Sequence, residues 1–382
     1  MLGAAKLLSL FSAAAVAQQC TGVEQGMYKI AEKTLVSVTY NGDAAFSQIF
    51  QKDGATFAAP HFKSVNVPAN GKLTITSLDG KDSEVFKGGE SATNVRASWA
   101  SGKGVVVSYE APSYTKSAVP VFELDEISFG KPTPLAESIC GKDDSKPAPC
   151  YAADAAKTKS GKAVARLLIG GSGLCTGWLI GSEGHLMTNN HCIGSADDAA
   201  DVQVELGAEC ATCEDPNNQK QLACKGEIVA TSATFVVTDE TADFALVKLN
   251  LKDGVDLKKY GYLQVRAEGP KLNEEIHILG HAVGWPKRFA VVVDSGKPGV
   301  VTNTSIPSCQ PDEFGYELDT QGGNSGSPVF STKDNVVVGI HNCGGCPDDG
   351  PNGGIKINKV VDILKAKNVL PKDAIAGDKP AC

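Results

Sequence analysis

Past its first twenty residues the chain has no apolar run long enough to cross a bilayer without charges interrupting it. A membrane-spanning helix in the mature protein is therefore not expected. Positive charge is also short: 36 Lys and Arg against 44 Asp and Glu leave a net charge of −8. No basic stripe offsets that deficit, so nucleic acid is excluded as a partner. Helix-favouring runs are few, and no internal repeat is present, which removes repeat architectures. What the chain has in excess is glycine, 41 residues, between recurring short segments rich in Val, Ile and Thr. That pattern predicts mostly β structure. With 42% hydrophobic and 21% charged residues the composition is globular, and 382 residues suffice for two or three domains.

The N-terminus, "MLGAAKLLSLFSAAAVAQQ", reads as a secretory signal over residues 1–17. Lys6 supplies its positive start, Leu7 to Val16 its apolar stretch, and Ala15-Val16-Ala17 its small-residue cleavage site. The expected location is secreted, extracellular. All 12 cysteines follow that site, and an even count in an oxidising compartment favours disulfides. Two CxxC pairs, Cys210/Cys213 and Cys343/Cys346 with His341 beside the second, have the spacing of zinc ligands. Export and the remaining cysteines favour disulfides over zinc, so neither a metal nor an organic cofactor is expected. Asn303-Thr304-Ser305 is a possible glycosylation site.

Residues 18–135 read as a β-rich, sandwich-like N-terminal domain, either a pro-segment or an accessory unit. "LTITSLDG", "GVVVSYE" and "PVFELDEISFG" alternate apolar and polar residues between turn signals. Nothing here gathers side chains for chemistry, and His61 is a lone structural histidine. Trp99 and Tyr109 could stack on a sugar, although core packing is the commoner use of such rings. Around 131–162 the composition shifts to Pro, Lys, Asp and Ala, and residues 136–162 read as a linker that Cys140 and Cys150 tie down. Strands resume at 163 with "AVARLLIGG", "CTGWLIG" and "GHLMTNNHC". The remainder, 163–382, is long enough for two β-barrels, with a short helix in "NKVVDILKAK".

Three segments of that second part carry chemistry together. "HLMTNNHCIG" ends an apolar strand in a polar turn at His191. "TADFALVKLN" puts Asp243 just ahead of an alternating strand, and "QGGNSGSPVF" puts Ser325 on a glycine turn. A serine hydroxyl is a poor nucleophile at neutral pH and needs an adjacent imidazole to take its proton. A buried carboxylate fixes the tautomer of that imidazole and stabilises its charged form. A tight glycine turn also lets the serine's own amide face a developing oxyanion.

In the order His, Asp, Ser, these segments resemble the chymotrypsin-fold, trypsin-like serine peptidases, over roughly residues 163–366. The resemblance implies a two-barrel fold and peptide-bond hydrolysis on protein or peptide substrates, by a monomer. It implies His191 as general base, Asp243 as its orienting partner, Ser325 as nucleophile, and the amides of Gly323 and Ser325 as oxyanion hole. It also implies a disulfide between Cys175 and Cys192. Asn324 stands where the digestive branch has the aspartate that pairs with a freed N-terminus, so that activation ion pair is not expected. "RLLIGG" is not an activation site, because Gly171 lies too close to Cys175.

"GNSGSP" and "GIH" are closer to glutamyl endopeptidases, whereas "GHAVGWPKRFA" and "CGKDDSKPAPC" resemble lysyl endopeptidases. The first likeness implies that Thr320 and His341 receive an acidic substrate side chain. The second would need an acid such as Asp348 or Asp349 for lysine. An acidic preference is the favoured expectation, with a lysine-specific enzyme as alternative. A catalytically silent homologue that binds a partner protein is the competitor from another functional class.

Overall fold

The computed structural model describes residues 27–132, 137–345 and 350–377. Residues 1–17, Cys20, Cys346, Asp348 and Asp349 lie outside the described residues.

The first strand, β1 (Tyr28–Lys29), belongs spatially to the second half of the molecule. The N-terminal unit comes after it with nine strands: β2 (Ala31–Tyr40), β3 (Phe46–Gln51), β4 (Phe57–Asn66), β5 (Lys72–Ser77), β6 (Ser83–Lys87), β7 (Ser91–Arg96), β8 (Ala100–Ser101), β9 (Gly104–Glu110) and β10 (Phe122–Gly130). One sheet runs β2-β10-β4-β7 with β8 also on β4, and the other runs β3-β9-β5-β6. Strand alternation builds the space between them. In β5, Leu73 and Ile75 are buried while Thr74 and Thr76 are half-buried, and Val105, Val107 and Tyr109 do the same in β9. They meet Phe62, Val65 and Phe122 from the facing sheet in one apolar cluster, each such side chain contributing about 2 kcal/mol. Trp99 and Tyr109 are both buried, so neither offers a face to a sugar. His61 is held by Asp125 at 2.7 Å and Asn94 at 3.1 Å.

The stretch 137–162 is hydrogen-bonded into the second half of the molecule. Its short strands β11 (Glu137–Ser138) and β12 (Lys146–Pro147) pair with residues 320–321 and 288–289. Cys150 is bridged to Cys213, and α1 (Ala155–Gly161) starts on Asp154, whose carboxylate accepts the N–H groups of Ala156 and Lys157.

The first barrel consists of β13 (Val164–Ile169), β14 (Gly173–Ile180), β15 (His185–Thr188), β16 (Val202–Leu206), β17 (Glu227–Asp239) and β18 (Phe244–Leu251), with α2 (Ala196–Ala200) between β15 and β16. Their order, β14-β13-β16-β17-β18-β15, closes through the β14–β15 pair. The second contains β19 (Ile276–Gly280), β20 (Arg288–Ala290), β21 (Asn303–Ile306), β22 (Glu313–Tyr316), β23 (Thr320–Gln321), β24 (Pro328–Ser331), β25 (Val337–Cys343) and β26 (Asn352–Lys356). Its sheet runs β12-β20-β19-β24-β25-β26-β22-β21, and β23 pairs with β11 outside it. A bridge between Glu275 and Val300 brings the stretch before β21 back beside β19 and curls this sheet round. The helix α3 (Ile357–Ala366) packs Ile357, Val360, Val361 and Leu364 against the barrels. The molecule is thus mostly β, a chymotrypsin-like pair of barrels preceded by a β-sandwich.

Sandwich and first barrel share an apolar seam of Ile30, Phe57, Ala59 and Trp99 with Leu168, Leu174 and Leu222. Beside it the buried Arg96 guanidinium donates to both carboxylate oxygens of Asp201 and to Glu126.

Candidate active site

His191 sits on the turn after β15. Asn189 shapes this turn: its carbonyl accepts the Cys192 N–H, and its side-chain amide donates to the Asp243 carbonyl. Asp243 precedes β18 at a positive φ of 35° and is nearly fully buried. One of its carboxylate oxygens accepts the His191 backbone N–H at 2.9 Å, the other lies 2.8 Å from His191 Nδ1. A carboxylate facing Nδ1 puts the neutral ring's proton there and leaves Nε2 as an acceptor. The His191 side chain is 21% exposed, so the ring is not sealed inside the protein.

Ser325 lies on the turn between β23 and β24. Asn324 N–H donates back to the Gln321 carbonyl at 3.0 Å, and Ser327 N–H to that of Asn324 at 2.8 Å. Two glycines are obligatory in this turn. Gly326 has φ 88°, and a Cβ there would lie 2.1 Å from the Thr176 carbonyl oxygen; Gly323 has φ 95° and comes within 2.8 Å of the His281 carbonyl by the same measure.

Thr176, buried on β14, pins the turn across the two barrels. Its N–H donates to the Ser325 carbonyl and its hydroxyl to the Gly323 carbonyl, each at 2.8 Å, while the same hydroxyl accepts the His281 N–H. Cys175, the preceding residue, is bridged to Cys192 beside the histidine. The Gly323 and Ser325 N–H groups have no acceptor among the described residues, which leaves two donors free for a ligand's oxygen. Nor does the Ser325 hydroxyl have a hydrogen-bond partner there; such contacts commonly tighten only once substrate is bound.

Thr320 and His341 flank the same turn. Thr320 is buried and its hydroxyl has no partner among the described residues. His341 Nδ1 lies 2.6 Å from the Tyr316 hydroxyl, and burial, reinforced by His191, pushes its pKa down to about 3. Tyr316 Oη is farther from its other partner, the Gly353 carbonyl, at 3.2 Å.

The sequence reading did not single out Glu313, Tyr316, Asp319 or Tyr28. Glu313 is fully buried, accepts from Asn342 and Gln310, and is pushed up to about 7, by burial first and with Asp243 adding to it. Asp319, six positions before Ser325, is pushed up to about 6 by burial and accepts the Cys140 and Asp144 N–H groups at 3.1 and 2.8 Å. It therefore holds the 140–144 loop. Its distance from the serine was a usable signal; Glu313, Tyr316 and Tyr28 offered none.

The cysteines of the first CxxC pair bond elsewhere, Cys210 to Cys224 and Cys213 to Cys150, and Cys343 is bridged to Cys309. Their sulfurs are therefore not available to a zinc ion.

A family model described as "Trypsin-like peptidase domain" matches residues 175–340. "Secreted RxLR effector protein 73" of Plasmopara viticola is 39% identical over 348 residues, 86% of this chain and 84% of that protein. A glutamyl endopeptidase of Staphylococcus aureus is 50% identical over 65 residues, only 17% of this chain and 19% of its own length. Among solved structures, the HtrA-type protease AlgW with tripeptide is 19% identical, covering 55% of this chain and 62% of that one, with a TM-score of 0.39.

Proposed function

The chain belongs to the chymotrypsin-fold, trypsin-like serine peptidases, and from that membership we propose that it is an exported endopeptidase acting through His191, Asp243 and Ser325. One observation carries the reading. Asp243 grips both the backbone and Nδ1 of His191, while the neighbouring turn offers Ser325 between two unpaired amide donors. In the reaction, Ser325 Oγ bonds to the scissile carbonyl carbon as its proton passes to His191 Nε2. The carbonyl oxygen becomes an oxyanion between the Gly323 and Ser325 N–H groups. Collapse breaks the C–N bond, and His191 returns the proton to the leaving amine. Water, deprotonated by the same Nε2, then releases the acyl group and restores Ser325.

We infer an acidic residue, glutamate, at the bond cleaved. The Tyr316 hydroxyl, 2.6 Å from His341 Nδ1, holds the ring in place, and the tautomer with its proton on Nε2 is a neutral donor for a carboxylate. The unpaired Thr320 hydroxyl is a second donor, and donors to an ionised acceptor form the stronger hydrogen bonds. The lysine alternative rested on Asp348 and Asp349, outside the described residues. Asp319 is already engaged by two backbone amides, so it is a poor substitute. Export is supported by the signal-like N-terminus and by the printed name of the Plasmopara relative, a secreted effector.

The test treats purified protein with a fluorophosphonate probe and with a peptide library, both read by mass spectrometry. Labelling of Ser325 and cleavage after Glu are expected. An unlabelled serine with no cleavage would favour the silent partner-binding homologue, and cleavage after Lys alone would reverse the specificity.

A further inference from the structure

β14 has two edges. One is taken by β13 over residues 173–178. The other is shared by three occupants: β15 pairs at 178–180, the Ser325 carbonyl takes the Thr176 N–H, and β1 pairs at 173–174. The register sets Tyr28 opposite Leu174 and Lys29 opposite Gly173, antiparallel. β1 therefore lies on the strand edge next to the candidate nucleophile, two residues along, and its chain runs away from Ser325. Extended peptides bind by adding a strand to a sheet edge, and a peptide that runs on from the serine along this edge of β14 meets β1 there.

Tyr28 reaches further into the site. Its ring lies where a Cβ on Gly322 would come within 2.5 Å of it, and it packs on the Ala282, Val283 and Trp285 cluster beside the oxyanion turn. The segment is anchored from behind. Ile30 is fully buried in the seam, its N–H donates to the Ser172 carbonyl, and its own carbonyl accepts the Lys131 N–H.

We propose that Tyr28 and Lys29 form a self-supplied strand on the leaving-group side of the cleft, which peptides extending past the scissile bond must displace. This rests on the peptidase reading above. It makes Tyr28 a determinant of substrate length: substrates with nothing beyond a small leaving group bypass β1, and longer peptides compete with it.

The experiment compares the full chain with Tyr28→Ala and Tyr28→Gly on two substrates sharing one acyl half ending in Glu. One carries an aminocoumarin leaving group, the other four further residues between a fluorophore and its quencher. Both variants are expected to raise the ratio of kcat/KM for the extended over the short substrate at least tenfold, mainly through KM. An unchanged ratio overturns the proposal. So does a parallel fall on both substrates, which would make Tyr28 only a buttress of the oxyanion turn.

A binding readout separates this outcome from failure of the peptidase reading. The extended peptide's affinity is measured by fluorescence anisotropy on Ser325→Ala, with and without Tyr28→Gly, and thermal unfolding checks that each variant is folded. Tenfold tighter binding with Tyr28→Gly supports the strand competition even if no turnover is found; equal binding by folded proteins rejects it.

Discussion

Residue by residue, the candidate site separates the groups proposed to react from the groups that hold them. Ser325→Ala should lower kcat by at least about 10⁴-fold while the unfolding midpoint stays put, because the hydroxyl is half-exposed and bonded to nothing within the described residues. Retained turnover would remove Ser325 from its role. Thr176→Val keeps the shape of a buried side chain but deletes the hydroxyl between the Gly323 carbonyl and the His281 N–H. Its steady-state kinetics should show kcat lowered about 10- to 100-fold with KM little changed, a smaller loss than deleting an oxyanion donor itself. The candidate triad residues could be picked out in the sequence because each sits in a short motif whose turn chemistry is local. Glu313, Asp319 and Tyr28 matter through contacts with residues far away in the chain. Burial shifts the two carboxyls, and apart from the place of Asp319 six residues before Ser325 nothing in the sequence announces it.

Among the elements, the Cys175–Cys192 bridge ties the His191 turn to β14, the strand whose Thr176 holds the Ser325 turn. Cys175 and Cys192 are 17 residues apart, and replacing both by Ser should destabilise the fold by about 3 kcal/mol, measured by denaturant unfolding. Alternation made the sandwich strands legible, short apolar runs between turn signals marked the barrel strands, and the last helix lies in the segment expected for it. The Pro- and Lys-rich stretch after the sandwich read as a linker for a physical reason. β11 and β12 are two residues each, too short to print a period, and their pairing partners lie well over a hundred residues downstream. The cysteine partners were equally hidden, since spacing alone does not fix connectivity.

For the molecule as a whole, Arg96 is the buried tie between sandwich and barrel. Arg96→Ala leaves Asp201 without its cation and Glu126 with Lys33 alone, and should cost about 3 kcal/mol of stability; an undisturbed melting temperature would mean that the apolar seam and the Gln203, Lys225 and Lys252 contacts hold the parts together without it. Stability should also have opposing pH dependences. His277 and His341 are both held near pKa 3 by burial, so the unfolded chain takes up their protons first, and stability is lost as pH falls from about 6.5 towards 3. Glu313 and Asp319, raised to about 7 and about 6, act with the opposite sign. Their contribution is full below their ordinary values of 4.5 and 3.8 and is lost as pH rises through the raised ones. Glu313→Gln should therefore gain in melting temperature relative to the parent between pH 4.5 and 7.5, and a constant difference across that range would reject the assignment. The distribution of cysteine carries one last consequence. Residues 27–132 contain none, whereas four bridges lie between Cys150 and Cys343. In a glutathione-rich cytosol the sandwich would keep its aromatic interior while the barrels lost their staples. Reduction would therefore loosen the half that carries the candidate catalytic residues first and spare the sandwich packed against it.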